Sequence, residues 1–327
     1  MALSQRQLLE ILLESVDASG WQSLIVDERK PFGLRVFQGE SRGFNLRAYI
    51  WTCTHGGGRK RPADEYRIQF TGVVPKVHGG AVTLLLGWHP GYEVFAAWDI
   101  GRHAGQDSHS PSAQIKEGTL QQAHTHRFAV QSRDNREIAV AFRPEFLVEY
   151  ALHATELHRT GQANEDYLAL NDVDALTDAD IDAIADPKRR KVIATIVRKY
   201  RASDFRQRVL GAYNRRCSMC GIQLELIEAA HIVPVASDEG NDDTNNGIAL
   251  CKLHHAAYDR NLVCFDERYR IEVSDSAVTQ LHEARLDGGI AKFCKALRPA
   301  LILPSDKRDY PSPAFIRRAR EIRKWVV

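Results

Sequence analysis

The sequence predicts an α+β fold in two domains, and three observations carry that expectation. Short segments rich in β-branched and aromatic residues, broken by Gly, Pro and Asp/Asn turns, run to about residue 150. Apolar positions at helical spacing follow from about residue 188. Two close pairs of metal-ligating side chains, Cys217/Cys220 and Cys251/His254, lie in the C-terminal third. A chain of 327 residues is long for one core and comfortable for two, since domains usually hold roughly 100–200 residues.

Residues 5–17 carry Leu8, Leu9, Ile11, Leu12 and Val16 at helical spacing behind a candidate N-cap, Ser4, so an amphipathic helix is expected first. Strands are expected at 33–37, 44–52, 66–73, 81–87, 93–99 and 137–142, which makes residues 1–160 a β-rich domain. The stretch from Trp98, Arg102 and His103 through Ser108, Ser110, Ser112 and Gln114 is unusually polar for a connection between strands. Residues 165–185 hold Glu165, Asp166, Asp172, Asp174, Asp178, Asp180 and Asp182, and the charge then reverses at Lys188. That reversal near Pro187 places an acidic-to-basic helical linker at 161–195, where Thr177 followed by Asp180 resembles a helix-opening cap. Val192, Ile193, Ile196, Val197, Tyr200, Phe205, Val209 and Leu210 predict one or two helices leading into a C-terminal domain at 196–327.

Hydrophobic residues at 44% and charged residues at 26% describe a globular chain, neither fibrous nor disordered. No apolar run approaches the ~18 residues that span a bilayer, and the N-terminal segment has helical periodicity where a signal peptide would have an apolar block. A cytoplasmic protein without membrane partners is expected. Six cysteines are too few and too uneven for a disulfide framework, and three of them sit in ligand spacing, so zinc in a reducing compartment is the better account. A net charge of +2 decides nothing about nucleic acid, because the clustering of basic residues matters more than their sum. Candidate clusters are Arg59-Lys60-Arg61, residues 188–191, and Arg317, Arg318, Arg320, Arg323 and Lys324.

Thiolates and one imidazole in two close pairs suit a tetrahedral Zn²⁺ with no open position, hence a structural ion held by Cys217, Cys220, Cys251 and His254. Between the pairs run Glu228-Ala-Ala-His231-Ile-Val-Pro234 and Asn246-Gly247, and after them His255 and Asp259. Taken together, residues of about 200–275 resemble the HNH, or ββα-metal, endonuclease family, in particular its McrA-like and restriction-type members. The resemblance implies a hairpin bearing His231, a loop bearing Asn246 and a helix bearing His255 and Asp259, gathered at one catalytic divalent cation, Mg²⁺ or another.

In that arrangement His231 is the candidate general base, since an imidazole near neutral pH can deprotonate water. His255 and Asp259, at i and i+4, share a helix face and are the candidate ligands of the cation, which would offset charge developing on the scissile phosphate. Asn246 is assigned first to tying the loop, although some family members use an Asn as a ligand. Many members place a metal-binding residue directly before the base, where this chain has Ala230; water or DNA phosphate would complete the shell, and the role of Glu228 stays open. Spacing alone also leaves the assignments of His254 and His255 interchangeable.

The same resemblance implies a separate recognition domain, with Arg59, Lys60, Arg61, Trp98, Arg102 and His103 as candidate DNA contacts. The expected function is a restriction-type DNA endonuclease acting on double-stranded DNA, with modified bases among the features it would read. The competing class is a defence effector in which a small ligand or a partner licenses non-specific cleavage. One module supplies one base and one cation, so a double-strand break calls for two, most simply a two-fold homodimer. The apolar residues of 312–327 would serve either that contact or packing on their own domain, packing being the favoured reading.

Overall fold

The computed structural model describes residues 2–39, 42–56, 62–105, 111–133, 136–159, 163–237 and 239–325. The chain forms two compact units, Met1–Tyr200 and Arg201–Val327.

The first unit opens with α1 (Gln5–Ala18), whose Ser4 cap forms a reciprocal capping box with Gln7. Strands β1 (Gln22–Asp27), β2 (Phe32–Gln38) and β3 (Arg42–Thr52) form an antiparallel meander. The chain then leaves the sheet for β4 (Thr54–His55) and β5 (Glu65–Gln69), returning as β6 (Val82–His89) parallel to β3. That excursion supplies the crossover that a parallel pair requires. After β7 (Val94–Trp98), α2 (Ile100–His103), β8 (Ser112–Lys116) and α3 (Glu117–His126), strands β9 (Phe128–Ser132) and β10 (Ile138–Phe142) complete a seven-stranded sheet of order β1-β2-β3-β6-β7-β10-β9. Strands β4, β5 and β8 make a second, three-stranded sheet.

Strands β7 and β10 are buried along their whole length, and both are apolar without interruption. Along β3, Ala48 and Ile50 join one core with Leu12 and Val16 of α1, while Tyr49 and Trp51 join a second core with Ile68 and Ile115 of the small sheet. Neighbouring side chains of a strand point to opposite faces, so one segment feeds two cores.

The described part of the stretch 161–195 folds as helices of the first unit. It contains α5 (Ala163–Leu168), α6 (Asp178–Asp182) and the start of α7 (Pro187–Ala212), after α4 (Leu147–Leu157). Tyr167, Leu170, Val173, Ile181, Val192, Ile193, Ile196 and Val197 lie in the first unit's core. Arg189 pairs locally with Asp166 and Asp186. The boundary accordingly falls inside α7, after Tyr200 and not at 195.

In the second unit the end of α7 packs on a two-stranded hairpin, β11 (Ile227–His231) and β12 (Gly247–Cys251), followed directly by α8 (Lys252–Asp259). A second hairpin, β13 (Val263–Phe265) with β14 (Ile271–Val273), precedes α9 (Asp275–Glu283), α10 (Ile290–Ala296) and α11 (Pro313–Ile322). Helix α11 packs on its own domain: Ile316 and Ala319 are buried, Arg320 reaches Glu272, and Arg323 lies 3.9 Å over the Tyr258 ring. Among the described residues no helix is long and apolar enough to cross a membrane.

Candidate active site and metal centre

Cys217 and Cys220 sit on a tight turn closed by the Gly221 amide donating to the Cys217 carbonyl at 2.8 Å, with Gly221 at φ +81°. Cys251 ends β12 and His254 lies one turn into α8, so a loop and a strand-to-helix junction converge on one point. The three Sγ atoms and an imidazole nitrogen all lie within 4.8 Å of one another. His254 Nδ1 is 3.2 Å from Cys251 Sγ and 3.5 Å from Cys217 Sγ. A tetrahedral zinc with bonds of ~2.3 Å to sulfur and ~2.0 Å to nitrogen would set that edge near ~3.5 Å, so the cluster fits the ion. The Cys217 thiol is driven well below its ordinary value, first by a hydrogen bond from Cys251, whose own thiol the same contact pushes up. Three thiols and one imidazole gathered in this way fit a structural zinc site. Among the described residues it is the one group of three or more His, Cys or carboxylate side chains whose ligand atoms all lie within 4.8 Å of one another.

His231 ends β11 opposite Gly247. Its Nε2 is 2.9 Å from Asp242 Oδ1, and its ring lies face to face with Phe205 of α7, centroids 3.7 Å apart and planes within 5°. Asn246 is fully buried: it accepts from the Val233 amide at 2.9 Å and donates to the carbonyls of Val233 and Asn241 at 2.9 and 2.8 Å. Both N–H donors of its amide and one acceptor position of its oxygen are engaged inside the loop.

His255, the residue after His254 in α8, stands between two carboxylates. Its Nδ1 is 2.8 Å from Glu228 Oε2 and its Nε2 is 3.6 Å from Asp259 Oδ2. This gives Glu228 the place that spacing left open: it orients His255 from β11, and the second ring nitrogen faces the exposed Asp259. A ring held by a carboxylate through one nitrogen and presented through the other is the usual arrangement of a metal-ligating histidine. No hydrogen bond or ion pair links His231 to these three side chains among the described residues.

The candidate contacts of the first unit fare differently. Trp98 is 1% exposed, with its indole N–H donating to the Gln114 carbonyl at 2.9 Å, and is a core residue with no face to offer a base. His103 is buried against Glu137, itself paired with Arg133. Arg102 is half-buried on α2, and Arg59, Lys60 and Arg61 lie outside the described residues, as do Ser108 and Ser110. Ser112 and Gln114 belong to β8, whose alternate residues Ala113 and Ile115 are core. The basic run at 188–191 is partly neutralised by Glu156, Asp166 and Asp186.

Residues 217–266 match a family described as HNH endonuclease, and residues 44–151 one described as methylase-associated X1. The second unit thus carries an HNH endonuclease domain, and the chain is a nuclease. No curated protein matches. A solved structure described as a modification dependent TagI restriction endonuclease is 13% identical over 84% of this chain and 80% of that one, with a TM-score of 0.31.

Proposed function

We propose that this chain, with its HNH endonuclease domain at 217–266, is a restriction-type DNA endonuclease whose first unit reads the site and whose second unit hydrolyses a phosphodiester. The observation that carries the chemistry is His231, fixed at a strand end by Phe205 and Asp242 while its Nδ1 has no partner among the described residues. In this reading a water oxygen attacks phosphorus and its proton passes to His231. The bond from phosphorus to O3′ breaks, and the oxygen leaves with the electron pair and takes a proton from solvent. His255 Nε2 and Asp259 would hold a divalent cation, which supplies charge stabilisation at the phosphate. Zinc at Cys217, Cys220, Cys251 and His254 would hold the hairpin to α8 and take no part in the step.

Site reading by the first unit is supported by its match to a methylase-associated family, since a nuclease working beside DNA methylation must tell modified from unmodified sites. Digestion of methylated, hydroxymethylated, phosphorothioated and unmodified plasmids with Mg²⁺ or Mn²⁺ tests both parts. Cleavage confined to one class supports the reading. Equal cleavage of all four defeats site reading by modification, and no cleavage of any defeats the proposal.

A further inference from the structure

Asp242 has no part in the step just described, yet its carboxylate is the one hydrogen-bond partner of the His231 imidazole among the described residues. Stacking on Phe205 at 3.7 Å and 5° sets the plane of the imidazole. One hydrogen bond within that plane then sets its rotation, so the two contacts together leave a single direction for Nδ1.

The surroundings are built to keep both contacts. Gly247 faces His231 across the hairpin, and a Cβ there would lie 3.0 Å from Phe205 ring atoms and 2.3 Å from Val209 Cγ2. The missing side chain of Gly247 is therefore what admits Phe205 to the imidazole. On the other side Arg208 donates to the Asp242 carbonyl and to Thr244 Oγ1, each at 2.7 Å, while its Nε pairs with Asp204. Asn246 holds the adjoining Asn241 carbonyl. The His231 and Asp242 side chains are 26% and 24% exposed, shielded from bulk solvent and still within reach of a substrate.

We propose that Asp242 is a positioning residue for His231. Its carboxylate accepts the Nε2–H, holds the neutral ring as that tautomer, and leaves the Nδ1 lone pair to take the proton of the attacking water. As that proton arrives the ring becomes an imidazolium beside Asp242, which stays ionised; the hydroxide oxygen joins phosphorus and the electron pair of the broken bond leaves on O3′. The inference rests on His231 being the base, and Phe205 and Asp242 then explain how a half-buried strand end keeps one nitrogen aimed.

The test uses the full-length zinc-loaded protein and three variants, Asp242→Ala, Asp242→Asn and His231→Ala. Plasmid cleavage, DNA affinity, zinc content and the His231 tautomer, read from two-bond ¹H–¹⁵N correlations, are compared. The parent protein should show the Nε2–H form. Asp242→Ala should lose that form and at least about tenfold in kcat, no more than the ~10² to 10⁴ expected for His231→Ala, with zinc and DNA affinity unchanged. Asp242→Asn, whose Oδ1 still accepts from Nε2–H, should keep the tautomer and recover part of the rate. An Nδ1–H tautomer in the parent, or Asp242→Ala cleaving at the parent rate, overturns the assignment of Asp242. Normal cleavage by His231→Ala overturns the base itself, a separate failure.

Discussion

Replacing Cys217 by Ser removes one of four donors from a site in which Cys217 is fully buried and His254 is 1% exposed. A serine hydroxyl is a poor substitute for a thiolate, and Cys251 and His254 lose the ion that joins them. Structural zinc contributes about 10–16 kcal/mol to small zinc domains, whereas a folded domain is stable by only about 5–15 kcal/mol in all. Losing even half of the ion's contribution consumes most of that margin, and the buried His254 left without its partner costs about 1–3 kcal/mol more. The Cys217→Ser protein should thus carry far less than one zinc per chain, and its second unit should be digested by protease beyond about residue 201, while the first unit, with its own core, survives. Chelation of the parent protein should do the same. Metal analysis with limited proteolysis decides the matter: a zinc-free Cys217→Ser protein with a protected second unit would refute the reasoning.

Gly247→Ala should destabilise the second unit by about 1–3 kcal/mol, the usual cost of overpacking, because its Cβ meets Val209 at 2.3 Å; cleavage should fall further than stability as Phe205 leaves His231, and unchanged urea midpoint and rate would refute this. His158 is buried, with Nδ1 on the Ile138 carbonyl and Nε2 on the Tyr150 hydroxyl, and burial pushes its pKa below the ordinary 6.5. The unfolded chain binds the extra proton as pH falls through about 6.5, so the first unit should lose up to ~1.4 kcal/mol per pH unit below it; urea midpoints between pH 7 and 5 that do not fall would count against this. If two chains act together, supercoiled plasmid should become linear with a rate steeper than first order in enzyme, whereas nicked circles at first order would indicate a monomeric nickase.

The chemistry of the second unit was legible because it depends on residue types at short, fixed spacings. Two cysteines three apart, Cys251 with His254, and His255 with Asp259 are placed by a turn and by the pitch of one helix, so local geometry sufficed. The capping boxes at Ser4 and Thr177 were equally local. Asp242 was not legible: it is one of several acidic residues in a polar loop, and only the folding of that loop against β11 brings its carboxylate to His231. Glu228 likewise gained a role only when α8 packed across the hairpin.

In the first unit the strands β2, β3, β6, β7 and β10 could be read from their own residues, because each gathers β-branched, aromatic and other apolar residues in a short run. The edge strand β1, which exposes Leu24 and Val26, and the half-polar β8 could not. Trp98 and the stretch 161–195 mark the same limit from the other side: an aromatic beside charged residues, and an acidic run, look like surface in one dimension. The sequence by itself picked out the cluster of Cys217, Cys220, Cys251 and His254, the candidate base and the β-rich character of the first unit. Tertiary structure alone decided which aromatics are core, that the acidic segment belongs to the first unit, and which carboxylate aims each histidine, because these depend on contacts between residues far apart in the chain.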